Sequence, residues 1–500
     1  MTAHPSHLDP DAGRPNSSAV VAALVAIVVI AAALRAPGLT PEFGPEIGGW
    51  TGAHYSQIAD NSVALGRPVL FANPYPSEAE GVAYATHPPG VPWLVALSRG
   101  LLGPTAFASR LPFFALSLLA VVLVFRLVRQ ERGAAAGLLA AAALASCPIG
   151  AVYGHQVEVV GAMVLVGVLG ATSAYVADRR CPSRANFAAW MGWSLLLVVS
   201  DWPGLLLLCV MGLHALLTGA GRRGRDVAWL ASWAVGVAAV VAYLVAHLPG
   251  GMDYLWMKVH QRTVELKTDG GDTFSYGEAA RRWLETQLRG MGPLLLLGVG
   301  LFGARSLRRP RAAAMGPLLL LVFCVVFYAV GVQAHFQHDF WSQPVAGCYA
   351  ACAACAAAEF VRRRGLLLAL GAAVLLGGAW MTTRYRAFSA RHHSALPEVR
   401  DHQELAGWLA QHVPEDDVVA VFDTTHWPTL YHYAGRRVVV VADDVELEAV
   451  LREPRQDIVD WIHVKHSAPP NWALARRGAR VFEGATEQHG AWELGRIPAR

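Results

Sequence analysis

The sequence is short of charge. Asp, Glu, Lys and Arg make up 16% of its 500 residues against 54% hydrophobic residues, and the mean hydropathy is +0.36. This balance excludes an ordinary soluble protein of several domains, because the apolar excess is gathered into long blocks. Cysteine is sparse as well. The seven (Cys147, Cys181, Cys209, Cys324, Cys348, Cys352, Cys355) lie in or beside apolar stretches, and none falls in the polar C-terminal region, so no disulfide framework is implied. Cys348, Cys352 and Cys355 share one helix face among alanines and read as small-residue packing between helices. No internal or inverted repeat is visible, which counts against a transporter. The C-terminal region contains no Gly-rich phosphate loop. The formal charge of +4 says little by itself. Placement of Lys and Arg matters more than their sum, and no nucleic-acid partner is expected.

What is present is a series of apolar runs, each on the order of the 20 residues needed to cross a bilayer. They fall near 17–35, 107–125, 133–150, 156–177, 186–200, 203–219, 227–247, 291–304, 313–334, 342–360 and 365–382, which predicts about eleven spans. Residues 1–16 form a polar, disordered tail before the first run, which is too long for a signal-peptide core and lacks a cleavage site. The loops "RLVRQER" (126–132), "DRRCPSR" (178–184), "GRRGR" (221–225), "RSLRRPR" (305–311) and "RRR" (362–364) are basic and alternate with loops that are poor in Lys and Arg or too long to count. Cytoplasmic loops retain such residues, so the N-terminus is expected inside. The outer face then receives the loop 36–106, the turn at Ser200–Pro203, the loop 248–290, "HFQHDFW" (335–341) and a C-terminal domain over 395–500. That domain reads as small and α/β: helical spacing at 401–413 and 445–453, strands at 418–422, 438–442 and 458–464, and a mainly parallel sheet.

Ionisable residues at the outer ends of spans are the clearest functional signal, because burying them is costly unless they are paired or line a wet cavity. Glu158 sits a few residues into the run 156–177. Asp201 lies in a turn before Trp-Pro, where a helix cap is the plainer explanation. His335, His338 and Asp339 share another turn; their spacing could suit a divalent metal, but it is common at membrane interfaces and no metal is expected. The loop after the first run offers Glu42, Glu46, and a helical pattern with His54, Tyr55 and Asp60. Lys258, His260, Arg262 and Lys267 lie in "DYLWMKVHQRTVELK", either clamping a lipid phosphate or snorkelling from an interfacial helix. In "YATHPPGVPWLVALSRGLLG", Pro88 and Pro89 stop any helix from the left and start one to the right, which holds Thr86 and His87 at the mouth of an apolar segment.

A first span, an outer loop with "AHYSQIADN", then "THPPGVPWLVALSRGLLG" and a span after "SRLPF" together resemble the membrane glycosyltransferases of the C-type fold. The closest branch resembles the dolichyl-phosphate-mannose protein mannosyltransferase and lipid A aminoarabinose transferase superfamily. The resemblance covers about 17–385 and is most specific over 50–125. It implies that a basic residue before Pro-Pro, here His87, faces the donor's phosphate, that Glu158 matches an acidic residue at the outer start of the fourth span, and that "HDFW" matches a late outer motif. The Asp-Glu pair usual before the loop tyrosine is replaced by Thr51 and Gly52, with Glu46 and Asp60 as the nearest substitutes.

The resemblance implies inverting transfer of a sugar from a polyprenyl-phosphate-linked donor to a hydroxyl on a protein, lipid or glycan acceptor, at the outer face of the cell membrane, without a cofactor. The expected base is Glu46 or Glu158. Tyr55, Asp60, His87, Asp201, Lys258, Arg262, His335, His338 and Asp339 are expected at the substrates. A lipid-linked sugar transporter and a non-catalytic membrane scaffold are the alternatives.

Overall fold

The structure, a computed structural model, describes residues 17–44, 47–70, 86–218, 223–247, 251–263, 266, 273–309, 313–361, 363–393, 402–414, 417–422, 427–441, 447, 456–459, 462–465, 472–476, 486–489 and 492–497. The helices in chain order are α1 (Ser17–Arg35), α2 (Ile47–Leu65), α3 (Gly90–Leu102), α4 (Ala106–Arg132), α5 (Ala134–Ser146), α6 (Pro148–Val152), α7 (Ala162–Arg180), α8 (Arg184–Ser200), α9 (Trp202–Thr218), α10 (Arg223–His247), α11 (Gly251–Thr263), α12 (Tyr276–Gly290), α13 (Pro293–Arg308), α14 (Met315–Val330), α15 (Val332–Gln337), α16 (Gln343–Phe360), α17 (Arg364–His393), α18 (His402–His412) and α19 (Trp427–Ala434).

A helix lies at each of the expected apolar runs, but among the described residues length and composition alone qualify only five as spans, or up to six if the sharply bent pair α12–α13 counts as one. Several runs are therefore shorter as helices than as apolar stretches. Two breaks account for much of this. Pro148 ends α5, since proline cannot donate to the preceding turn. The run expected from 156 begins as α7 only at Ala162, leaving 153–161 as an irregular crossing at the bundle end.

α4 packs between α5 and α7, α17 returns against α5, and α13 lies on α16. Small residues permit these approaches. A methyl on Gly298 of α13 would sit 2.5 Å from the Ala353 side chain of α16. Cys348, Cys352 and Cys355 are fully buried on α16, as packing requires, with Sγ of Cys348 and Cys352 4.0 Å apart.

Most of the basic loops meet at one end, joined by ion pairs: Arg132 with Glu359 (2.9 Å), Arg180 with Glu131 (2.7 Å), Arg225 with Asp178 (2.9 Å), and the close pairs Arg305–Glu359 and Arg179–Asp226.

The C-terminal domain carries α18, α19 and β1 (Val418–Val421), β2 (Arg437–Val440), β3 (Gln456–Val459), β4 (Ile462–Lys465), β5 (Trp472–Arg476), β6 (Thr486–His489) and β7 (Trp492–Arg496). Its main sheet has the order β2-β1-β5-β7-β6, and only β1–β2 and β1–β5 are parallel. The expected mainly parallel sheet is thus mixed, because β5, β7 and β6 meander back antiparallel. The strand expected at 458–464 is the β3–β4 hairpin, with Val459 opposite Ile462. Most of the helix expected at 445–453 and the tail 1–16 lie outside the described residues. Along β1, Val419 and Val421 join the core shared with the helices while Val418 and Ala420 join a second cluster with Val441, as the alternation of a strand dictates.

Candidate functional site

The end of the bundle opposite the ion pairs gathers carboxylates around histidine, tyrosine and threonine. The local sequence explains how. Pro89 caps α3, and Gly90 lies so close to the end of α8 that a methyl there would be 2.3 Å from the Val199 carbonyl oxygen. This contact brings His87, just before the prolines, onto Asp201, just after α8. His87 Nδ1 donates to Asp201 Oδ1 at 2.7 Å, and the Trp202 indole donates to the Thr86 carbonyl at 2.7 Å. Asp201 also accepts the Trp202 backbone N–H at 2.8 Å. It is therefore both the expected cap at the start of α9 and a partner of His87. It is fully buried, its Oδ2 has no hydrogen-bond partner among the described residues, and the His87 side chain is 21% exposed.

Glu158 lies on the irregular crossing, four residues ahead of α7, and not within the helix as the run suggested. Two glycines shape that crossing: a methyl on Gly154 would lie 2.4 Å from the Gly150 carbonyl, and one on Gly161 would lie 2.9 Å from the carbonyl of Glu158 itself. The Glu158 carboxylate accepts the Val159 N–H at 2.9 Å. Its proton affinity is pushed up to about 8, first by burial and further by the charge of Asp201, while the Val159 N–H and the Thr51 hydroxyl oppose the rise. Thr51 thus stands against the site carboxylate at the place where the resemblance expects an acid. Gln156, on the same crossing, closes over Gly48 at the start of α2.

A second carboxylate of this end, Asp339, is bound by Tyr153 of the crossing. Its hydroxyl donates to Asp339 Oδ1 at 2.8 Å, and Tyr385 of α17 donates to Oδ2 in a close bond. His338 stacks on Phe340 with centroids 5.1 Å apart. His335 points elsewhere: buried among Phe327, Tyr328 and Trp341, it has neither ring nitrogen hydrogen-bonded among the described residues, and burial drives its proton affinity down to about 3. The expected cluster of His335, His338 and Asp339 therefore divides between a core position and the site. Among the described residues no three His, Cys, Asp or Glu side chains converge as a metal would require.

Asp60 takes a different partner. Arg99 of α3 grips both its oxygens at 2.7 Å and also donates to Ser109 at 2.9 Å and the Thr105 carbonyl at 3.0 Å. Tyr55 is buried in the core beside His54. Glu46 lies outside the described residues, as do the side chains of Lys258 and Arg262 on α11. Sequence reasoning missed Tyr153, Tyr385 and the cationic surroundings of His155, whose proton affinity falls to about 3 through burial and the charges of Arg110, Arg386 and Arg35. No local signal marks them, since their partners are distant in sequence.

Residues 86–249, from the His-Pro-Pro segment through α10, match the family described as dolichyl-phosphate-mannose-protein mannosyltransferase. No curated protein matches by sequence. Among solved structures, the chain is similar to ArnT from Cupriavidus metallidurans bound to undecaprenyl phosphate, with a TM-score of 0.68 at 14% identity over 96% of this chain and 98% of that one. It is also similar to the apo oligosaccharyltransferase of Archaeoglobus fulgidus, with a TM-score of 0.62 at 13% identity over 92% of this chain and 70% of that one. The molecule is a multi-pass membrane protein with the C-type glycosyltransferase fold, and its segment 86–249 is similar to the dolichyl-phosphate-mannose-protein mannosyltransferase family.

Proposed function

We propose that the protein transfers a sugar from a polyprenyl-phosphate-linked donor to an acceptor hydroxyl at the bundle end that holds Glu158. The observation that carries this reading is a buried carboxylate of raised proton affinity beside the His87–Asp201 pair. Glu158 takes the proton from the acceptor hydroxyl, the freed oxygen forms a bond to the anomeric carbon, and the bond from that carbon to the phosphate oxygen breaks with its electron pair. A general base works best with a proton affinity near the operating pH. The lipid phosphate leaves as an anion, and positioned hydrogen-bond donors stabilise the charge that develops on it.

His87 has that part here. Asp201 fixes its ring, because the 2.7 Å contact is favourable only with a hydrogen on Nδ1. Lys258 and Arg262 remain candidates for the same phosphate. Asp339, with Tyr153, Tyr385 and His338, lines the sugar or acceptor side. Asp60, held by Arg99, has a structural part. Glu46 is a second candidate for the base. Inversion at the anomeric carbon follows the resemblance. The similarity to ArnT bound to undecaprenyl phosphate supports the class of donor.

The meeting of basic loops at the other end supports a cytoplasmic N-terminus and an extracytoplasmic C-terminal domain. Single cysteines at Gly224 and Gly277, on a cysteine-free background, should react with an impermeant reagent from opposite sides of the membrane. Reaction from the same side would overturn this topology.

Transfer itself is tested with purified protein in lipid nanodiscs and radiolabelled polyprenyl-phosphate sugars. Label should pass to an acceptor with the wild type and not with Glu158→Gln. Absence of transfer with mannosyl, glucosyl and aminoarabinosyl donors alike would favour the non-catalytic alternative.

A further inference from the structure

The C-terminal domain does not stand apart from the site. α19 packs on α2, and Leu430 and Ala434 of α19 belong to the same buried core as Trp50, Ile58 and Phe43. The contact centres on one hydroxyl. Tyr433 accepts the Phe43 backbone N–H at 2.7 Å and donates to the Glu42 carboxylate at 3.0 Å. Its neighbour His432 meets the Phe43 ring edge-on at 5.8 Å and Gln57 of α2 at 3.4 Å. From the other side the Arg110 guanidinium lies 4.7 Å over Phe43 and bonds to the Pro41 carbonyl. The segment 41–44 is thus held between α4 and α19. It in turn bears on α2: a methyl on Gly52 would lie 2.3 Å from the Phe43 ring, and one on Gly49 would lie 2.0 Å from the Gly44 carbonyl. Between those two glycines along α2 stands Thr51, which faces Glu158.

We propose that Tyr433 is a positioning residue for the site: by fastening Glu42 and Phe43 it sets where the first turns of α2, and with them Thr51, stand against Glu158. The C-terminal domain thereby completes the site without supplying a group to the reaction. This rests on the glycosyltransferase reading, in which Glu158 is the base. Among the described residues the groups acting on Glu158 are Asp201 from between α8 and α9, Thr51 from α2 and the Val159 N–H on its own crossing, with His87 bonded to Asp201. Of these, the Thr51 contact favours the anion and depends on where α2 stands. If α2 drifts, that contact weakens and the Glu158 proton is held more tightly.

Tyr433→Phe removes the hydroxyl and keeps the ring against His432. Two measurements follow. Hydrogen–deuterium exchange in nanodiscs should quicken over residues 41–52 relative to wild type. The midpoint of the pH–rate profile should move upward by roughly half a unit, about a threefold loss of rate on the acid side. Thr51→Val should move it in the same direction, and the double variant should move it no further than Thr51→Val alone. A contact that only stabilises the domain would lower the melting temperature and leave the midpoint unmoved, which would overturn the proposal. Unchanged exchange over 41–52 would overturn it as well. A wild type that transfers no sugar would sink the glycosyltransferase reading, while the exchange comparison would still decide the placement by Tyr433.

Discussion

The two ends of the helical bundle use carboxylates in opposite ways. At the basic end, Glu131, Asp178, Asp226 and Glu359 each meet an arginine. At the other end, Glu158, Asp201 and Asp339 meet threonine, histidine and tyrosine. An arginine keeps its proton throughout the accessible pH range and pins its partner as an anion. Threonine and tyrosine are neutral donors and histidine is charged only when protonated, so no permanent positive charge pins the carboxylates at the second end. The same side-chain type therefore reads as architecture where its partner is permanently charged, and as chemistry where it is not. Asp60 sharpens the point: it lies on α2, away from the basic loops, yet Arg99 gives it the partnership of the basic end.

The largest effect that would break or sustain this comparison is on Glu158. Replacement by Gln should cut transfer by roughly 10²–10⁴, the usual worth of a general base, with the protein still folded. Retained activity would move the base to Glu46. The same variant carries a signed test in stability. Because Glu158 holds its proton more tightly folded than unfolded, its contribution is fully present below the unfolded value of about 4.5 and is lost as pH rises through about 8. Glu158→Gln should therefore melt higher than wild type at pH 9, with the difference closing toward pH 5.

Next in size is His87→Ala. It removes a donor from the leaving phosphate and should cost about 2–4 kcal/mol in kcat/KM. Asp201→Asn should follow it in part by releasing the ring. Silence of both would confine the pair to architecture, in which case Pro88→Ala and Pro89→Ala should be the damaging changes.

The pH dependence comes third. Below the Glu158 midpoint the wild-type rate should climb about tenfold per pH unit and level off above about 8. A profile flat from pH 6 to 9 would remove Glu158 as the base.

The smallest effect on transfer belongs to the basic end. Arg225→Ala strips the charged partner from Asp178, whose side chain is 2% exposed, so it should lower stability by about 3 kcal/mol and should leave the transfer rate per folded molecule unchanged. A drop in that rate would mean that the two ends are coupled.

Much of this division was legible in the amino-acid order. Long apolar runs and basic loops are local patterns, and they mark the helices and one end of the bundle. Partnerships were not legible, because they join distant parts of the chain. His87 and Asp201 are 114 residues apart, brought together by Gly90 against Val199, a contact no periodicity announces. Asp60 was read as a site residue because nothing near it in sequence declares Arg99, 39 positions on. The stretch 156–161 reads as the start of a span because its apolar content runs on into α7, whereas Gly154 and Gly161 decide the path of the crossing by sterics. In the C-terminal domain the strands β5 to β7 are only four or five residues long, and a strand's apolar pattern carries no direction, so the sheet's antiparallel half is not legible in it.

The closeness of Gly49 to the Gly44 carbonyl has a mechanical consequence. Two stretches of main chain that leave no room for a methyl between them cannot slide past one another, so segment 41–44 and the first turn of α2 behave as one stiff flap. Gly49→Ala would prise the two layers apart, so that a single methyl would act there as a wedge.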